Sequence, residues 1–540
     1  MVFFVEKSLL KHAQMTTADN IRIAKNTIYL YIRTFVSMII TLYTSRKVLE
    51  ILGVEDFGIL GVVGGVMVLF SFLSNSMSVA TQRFLTFELG RKDDNGFQNA
   101  FSMACIIHTI LAILFVFLSE TIGLWIVNTC LNIPSVRMNA ANVVYQVSVI
   151  STAISILQIP YNAAVVSYER MHVYAYVGLG EAVFKLLVVY LLIISPVDKL
   201  ITYSILLLVI KIIGCSIYRI YCIKNFPNCH IVLKWNRSLF KSMACFTGWN
   251  MFGTIAITAK DQTTNLFLNI FGGPVFNAAL SVTGQVSVAI HNLTGGFQSA
   301  VNPQLTKNYA SGDSSAACRL LCKSSKISFL LMLIVSLPVW FEIDYILDLW
   351  LVDVPPMATL FTRLVIIESL LDTLTGPMNT TLLATGRIKW YQVTFSIILL
   401  LSIPINYLLL KAGCHLATPL IVSVVLMMLS NVLRIVFCRN MFGLSVRMYV
   451  YEVILPIAGV GVLSLLPIMI VNSSLNQSFL RLTICTIVGV VTVVFTSYAI
   501  GFTRSERQII LNIIHSQLTC AAIRLRSLKK GKDSQILNRM

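Results

Sequence analysis

Charge is scarce in this 540-residue chain: Asp, Glu, Lys and Arg make up 12% of it, against 56% hydrophobic residues. Soluble domains carry about 25% charged residues, so three or four soluble domains of ~150 residues each are excluded. Paired cysteine motifs are also missing. The twelve cysteines are scattered singly, mostly inside apolar runs, and no CxxC occurs. Neither Cys318 with Cys322, nor Cys215, Cys222 and Cys229 with His230, offers a tetrahedral partner set at finger spacing. These thiols read as small hydrophobes, and no metal site is expected. The chain has no GxxxxGK[ST], hence no P-loop of its own. Its longest connections between apolar runs on the basic-poor side are about fifteen residues, too short for a catalytic domain, so an enzyme is disfavoured. The first twenty residues lack the apolar core and cleavage site of a signal peptide. The N-terminus is expected to be retained, with Met15 as an alternative start to Met1.

Long apolar runs are present instead. A spanning helix takes ~20 apolar residues, and fourteen candidates meet that length. They are Asn26 to Ser45, Phe57 to Ala80, Ala100 to Val127, Val143 to Val166, Val173 to Ile194, Leu200 to Tyr218 and Met243 to Ile270. Val275 to Val301, Ile327 to Ile346, Leu364 to Leu383, Val393 to Leu410, Ala412 to Val432, Val453 to Val471 and Phe479 to Phe502 follow. The net charge of +18 would suggest nucleic acid in a soluble chain. Here the excess lies between the apolar runs and sets topology, and no nucleic-acid partner is expected. The N-terminal segment, the even-numbered loops and the tail hold 30 Lys and Arg; the odd-numbered loops hold seven, counting Arg481 at the loop edge of span 14. By the positive-inside rule both termini are cytoplasmic. The tail adds a basic amphipathic stretch, Arg504 to Lys532, suited to an anionic inner leaflet.

The chain repeats itself. A shift of 219 aligns Thr44, Leu49, Ile51, Gly53, Phe57, Val63 and Gly65 with identical residues from Thr263 to Gly284. After one inserted residue, Leu85, Thr86 and Asp93 meet Leu305, Thr306 and Asp313. A shift of 217 aligns Pro160, Asn162, Arg170 and Tyr174 with Pro377, Asn379, Arg387 and Tyr391. Six spans separate equivalent helices, so the pseudo-dyad runs along the membrane normal and two six-helix lobes face each other. The fold class is an all-α integral membrane protein of about fourteen transmembrane helices, two pseudo-symmetric six-helix lobes plus two C-terminal helices. Its parts are an N-terminal segment (1–25), an N-lobe (26–235), a C-lobe (236–440), spans 13 and 14 (441–502) and the basic tail (503–540).

Polar residues inside the spans cost several kcal/mol unless partnered or facing a cavity. Asn26, Arg33, Ser37, Thr41 and Thr44 fall near one face of span 1; Asn250, Thr254, Thr258, Asp261, Asn265 and Asn269 form a stripe on its repeat mate, span 7. The pair reads as two walls of one cavity. Lys260 lies about 80° round the helix from the position matching Arg33, at 3.6 residues per turn, so both cations are expected to reach it. Arg33, Lys260 and, less directly, Lys185 suit a phosphate group; the alternative is a structural pair of Lys260 with an acid on a neighbouring helix. Asp261, with Glu368 and Asp372 four apart on span 10, offers carboxylates for a coupling H⁺ or Na⁺, and His108 and His291 read as packing. Pro160 and Pro377 are expected to break spans 4 and 10, as hinges or as passive kinks. No other cofactor is implied.

Asn26-Thr-Ile-Tyr-Leu-Tyr-Ile-Arg33, Leu52-Gly53 with Phe57-Gly58, and Thr81-Gln82-Arg83-Phe84 resemble bacterial polysaccharide flippases. These belong to the multidrug/oligosaccharidyl-lipid/polysaccharide (MOP) superfamily, with lipid II flippases and MATE antiporters as relatives. The resemblance spans nearly the whole chain, and its motifs are patterns of glycines and aromatics that mark the superfamily rather than the substrate. It implies a V-shaped pair of bundles that carries an undecaprenyl-pyrophosphate-linked oligosaccharide, a lipopolysaccharide or O-antigen precursor, across the inner membrane by alternating access. Arg33 would take the pyrophosphate in a cationic cavity; Lys260, on cavity charge, and Ser37, Thr41 and Asn265, on the polar stripes, are the substrate-binding candidates that join it. Membrane lipids and polysaccharide polymerase or assembly proteins are the implied partners. Two alternatives remain: a MATE-type proton- or sodium-coupled cation antiporter, and a non-transporting assembly scaffold.

Overall fold

The computed structural model describes residues 22–23, 25–41, 43–44, 47–48, 50–53, 56, 59–60, 71–130, 134–232, 235–351, 353–504 and 506–508. Part of expected span 2 (61–70) and nearly all of the amphipathic tail (from 509) lie outside them. The described chain is helical throughout, a multi-pass membrane protein. Helix α1 covers 25–41, followed by α2 (Ser71–Arg91), α3 (Asp94–Leu118), α4 (Met138–Ser167), α5 (Met171–Ile194) and α6 (Lys199–Asn225). The second half has α7 (Arg237–Gly272), α8 (Pro274–Ala310), α9 (Ser314–Trp350), α10 (Ala358–Thr373), α11 (Thr375–Ala384), α12 (Lys389–Leu400), α13 (Ser402–Lys411) and α14 (Thr418–Phe442). Short α15 (Val446–Tyr449) leads into α16 (Leu455–Ser474), and α17 (Phe479–Thr496) follows.

Among the described residues nine helices are long and apolar enough to cross a membrane. The other five expected spans fall on α1, α2, α7, α8 and the α10–α11 pair. Helices begin where a short polar side chain can accept the orphan amides of the first turn. Asp93 accepts from Gly96 N at 2.8 Å and its repeat mate Asp313 from Ala316 N at 2.9 Å. The residues before these caps, Lys92 (φ +57°) and Gly312 (φ +83°), are both left-handed, so the duplication extends to turn geometry.

The turns at Lys92, Glu169, Gly312 and Gly386 lie on one face of the bundle, the basic face. On the opposite face Arg137 bonds both Asp56 and Asp198, clasping three loops of the N-lobe. Burial raises the Asp198 carboxyl, but the Arg137 bond and the amides of Leu200 and Ile201 outweigh it and hold it below the usual range. In the C-lobe Arg363 bonds Asp344 at 2.8 Å on the same face.

Two buried ion pairs dock the C-terminal helices on α9. Arg481 on α17 donates to Glu342 Oε2 at 2.9 and 3.1 Å, and Lys326 reaches Glu506 Oε2 at 2.7 Å. Arg481, which reads as a loop cation in sequence, is therefore a helix clamp. Removing one partner of such a pair leaves a buried charge at a cost of ~3–5 kcal/mol, whereas an apolar replacement of both is often near neutral. Glu342→Leu should lower the melting temperature of the detergent-purified protein markedly, and adding Arg481→Met should restore most of the loss. A double variant as unstable as the single one would contradict the clamp.

Candidate functional site

Between the lobes lies a cavity of about 770 Å³, lined from α1, α2, α4, α5 and α8. Its polar wall includes Arg33, Thr34, Gln82, Asn162, His291 and Asn302, and no carboxylate lines it among the described residues. The Arg33 guanidinium lies 4.2 Å above the Tyr174 ring. This approach needs a bare backbone on α5: a Cβ at Gly178 would sit 2.3 Å from Arg33 Nε. Cation–π contact holds the guanidinium without neutralising it, so its fork of donors remains for an anion. Ser37 and Thr41, expected beside Arg33, do not line the cavity; Thr34 does. Ser37 and Thr41 lie one and two helical turns beyond Arg33, and Thr41 is on the exposed side.

Lys260 does not join Arg33. It lines a second cavity of about 630 Å³ inside the C-lobe. Its Nζ lies 2.8 Å from Glu368 Oε1, 2.7 Å from Ser423 Oγ and 3.4 Å from Asp261 Oδ1. Lys260 is thus paired with an acid on a neighbouring helix, as a buried ammonium must bring its counter-charge with it. Glu368 is correspondingly engaged, while Asp372 accepts from the Thr375 hydroxyl at 2.9 Å and has its carboxylate in the same cavity. Asn265 lines neither cavity: its carbonyl and side chain take both bonds from Asn277 near the α7–α8 turn. Thr258 is exposed, and Asn250, Thr254 and Asp261 line the C-lobe cavity. Lys185 is also exposed. His291, bonded to Ser369 at 3.0 Å, lines both cavities and forms the wall between them. His108 is packed, with Nδ1 against Ala104 O at 2.7 Å. Sequence reasoning missed Arg434, a buried cation of the C-lobe cavity bonded to Tyr391 Oη at 3.0 Å. Tyr391 is the repeat mate of Tyr174, so each lobe sets a guanidinium against the matched tyrosine.

The prolines differ. The span holding Pro377 is broken at Leu374, between α10 and α11, whereas α4 runs through Pro160 without interruption. Proline 377 cannot donate to the Thr373 carbonyl four residues back. Gln298 Nε2 donates there instead at 3.1 Å, and Asn431 Nδ2 serves the Leu371 carbonyl at 3.0 Å. Gly376 makes room, since a Cβ there would fall 2.4 Å from Gln298 Oε1. The expected break at Pro160 is thus corrected.

The lobes are tied together at the basic face, again by a residue missed in sequence. Glu169, 3% exposed in the α4–α5 turn, receives Lys307 Nζ at 2.6 Å, Gln304 Nε2 at 3.0 Å and Arg22 Nε at 2.7 Å. Its carbonyl accepts from Asn26 at 3.1 Å. Its backbone is left-handed (φ +58°), and its repeat mate is Gly386 (φ +73°). A non-glycine residue there costs ~1–2 kcal/mol, offset only by what the carboxylate binds. Glu169→Gly should relax the turn yet release the basic face. Spin labels at Lys92→Cys and Ser311→Cys should then show a longer-distance population by pulsed EPR; an unchanged distribution would remove the latch role.

Residues 251–408 match the MatE family model. No curated protein matches the chain. Among solved structures, an outward-facing multidrug resistance MATE family transporter of the MOP superfamily superposes with a TM-score of 0.69 at 13% identity, covering 78% of this chain and 95% of that one. A MOP superfamily transporter from Pyrococcus furiosus, described as having a binding pocket of reversed polarity that suggests a different function, gives 0.68 at 13% identity with 78% and 95% covered. A MATE structure in a bent conformation gives 0.67 at 14% identity, again with 78% and 95% covered. The fold is that of the MATE/MOP transporters, two lobes of six spans, here with two further C-terminal spans.

Proposed function

We propose that the chain is a MATE/MOP-type alternating-access transporter whose basic face is cytoplasmic, so that the Glu169 contacts close it to the cytoplasm. The MatE match and the shared fold support transport, and the loop-charge asymmetry supports the orientation. For the cargo, the carrying observation is the central cavity, where Arg33 faces open space and no carboxylate lines the wall among the described residues. Such a wall attracts an anion and repels an organic cation. A pyrophosphate-linked oligosaccharide in the bacterial inner membrane fits: the pyrophosphate pairs with Arg33, the asparagine and glutamine side chains meet the sugars, and the prenyl tail stays in lipid. Lys260 has no part in this, being bound to Glu368.

A second reading, a proton- or sodium-coupled multidrug antiporter, has the better support from the comparisons, since the similar MATE structure is described as a multidrug resistance transporter. The C-lobe cavity supplies its carboxylates, Asp261, Glu368 and Asp372. The two readings separate on paired variants. In the anionic-cargo reading, Arg33→Ala stops surface polysaccharide display while the protein still inserts, and Asp372→Asn confers no change in resistance to cationic dyes. If Arg33→Ala leaves display intact and Asp372→Asn abolishes gradient-driven dye efflux, the antiporter reading replaces it.

A further inference from the structure

We propose that a third cavity, of about 580 Å³ at the basic face, binds the phosphate group of an anionic phospholipid from the adjacent leaflet. The pocket opens between the end of α2, the start of α7 and the α11–α12 turn. Arg83, Lys241, Arg387 and Lys389 all line it, and among the described residues no Asp or Glu does. Other cations of the basic face behave otherwise: Lys307 and Lys326 each hold a carboxylate. Glu88, which does not line the pocket, is a carboxylate that Arg83 feels; four cations still outnumber it and repel one another, so the arrangement favours a bound anion.

Arg83 is the built part of this site. Its guanidinium lies 4.7 Å from the Phe84 ring, 4.6 Å from Phe87 and 5.6 Å from Phe246, and Nη2 donates to the Ala384 carbonyl at 2.9 Å. Its Nε is buried with no hydrogen-bond partner. Gly386 admits it, because a Cβ there would fall 2.7 Å from Nη2. A guanidinium with donors to spare beside ammonium groups is the donor set that phosphate recognition uses.

The depth of the pocket identifies the source. Lys389 Nζ lies 5.4 Å from the Trp249 ring and 5.3 Å from Trp390. Trp390 is 68% exposed and Trp235, just before α7, is 55% exposed. Tryptophans exposed at helix ends sit at headgroup level, and basic pockets between spans at that level take anionic headgroups. Arg83 comes from the N-lobe and the other three cations from the C-lobe. An occupant therefore bridges the lobes and favours closure of the basic face, whichever cargo the central cavity carries.

The test reconstitutes the full chain in phosphatidylcholine nanodiscs with a trace of photoactivatable phosphatidylglycerol or photoactivatable phosphatidylcholine. The phosphatidylglycerol probe should label peptides containing 241–249 and 385–390 several-fold more than the phosphatidylcholine probe. Arg387→Gln/Lys389→Gln, at exposed positions, should keep the wild-type melting temperature and lose most of that preference; Arg83→Gln should do so as well. Equal labelling by both probes, or a preference unchanged in the exposed double variant, overturns the proposal. Loss of phosphatidylglycerol labelling on adding millimolar inorganic pyrophosphate also overturns it, because the pocket would then serve a soluble anion.

Discussion

An ion placed in hydrocarbon must bring its counter-charge or face a cavity, because insertion of a lone charge costs at least ~2.5–3.5 kcal/mol. This constraint sets the helix arrangement more than apolar packing does, since lipid tails are as apolar as leucine and give helices little reason to associate. Lys260 with Glu368, Glu342 with Arg481 and Lys326 with Glu506 join residues 108, 139 and 180 positions apart. The first holds α7 to α10 inside the C-lobe, and the other two attach the final spans to α9. Structural pairing leaves these charges engaged within the protein. Arg33 is left on the wall of the central cavity, held by a tyrosine face that restrains its position while leaving its charge in place.

The spans and the duplication were legible because each is written in local spacing. Apolar run length marks the spans, and a nearly constant offset aligns Asp93 with Asp313 and Tyr174 with Tyr391. The same aspartates prove to cap α3 and α9. Arg33 was legible too, as a lone cation in a span without acids.

The partners of Lys260 were not legible. Helical periodicity places a side chain on an azimuth but does not say which neighbour occupies it, and a contact 108 residues away leaves no local trace. The stripe through Asn265 misled for a related reason. Spacing of three and four continues along a helix regardless of depth, and at Asn265 the stripe has already reached the turn where Asn277 waits. Pro160 and Pro377 show the limit of residue identity alone. Gly376 precedes one and Ile159 the other, so only at Pro377 is there room for the Gln298 amide to serve the freed carbonyl.

Duplication produces a symmetric pair of lobes, and the alternating access proposed above needs the pair to be unequal where binding and closure are decided. The inequality here arises at matched positions. Tyr391 and Phe395 enclose Arg434, 5% exposed, within the C-lobe, whereas Tyr174 presents Arg33 to the space between lobes. Gly386 turns without cost and lets Arg83 approach, whereas Glu169 makes the same turn under strain and binds the opposite lobe. A strained residue persists only while its contacts exceed the strain. The turn at Glu169 therefore stores a preference that rocking would release on opening the basic face, and the unstrained turn at Gly386 has none. Directionality in such a fold needs no separate device: it can reside in the few positions where one half of a repeat has departed from the other.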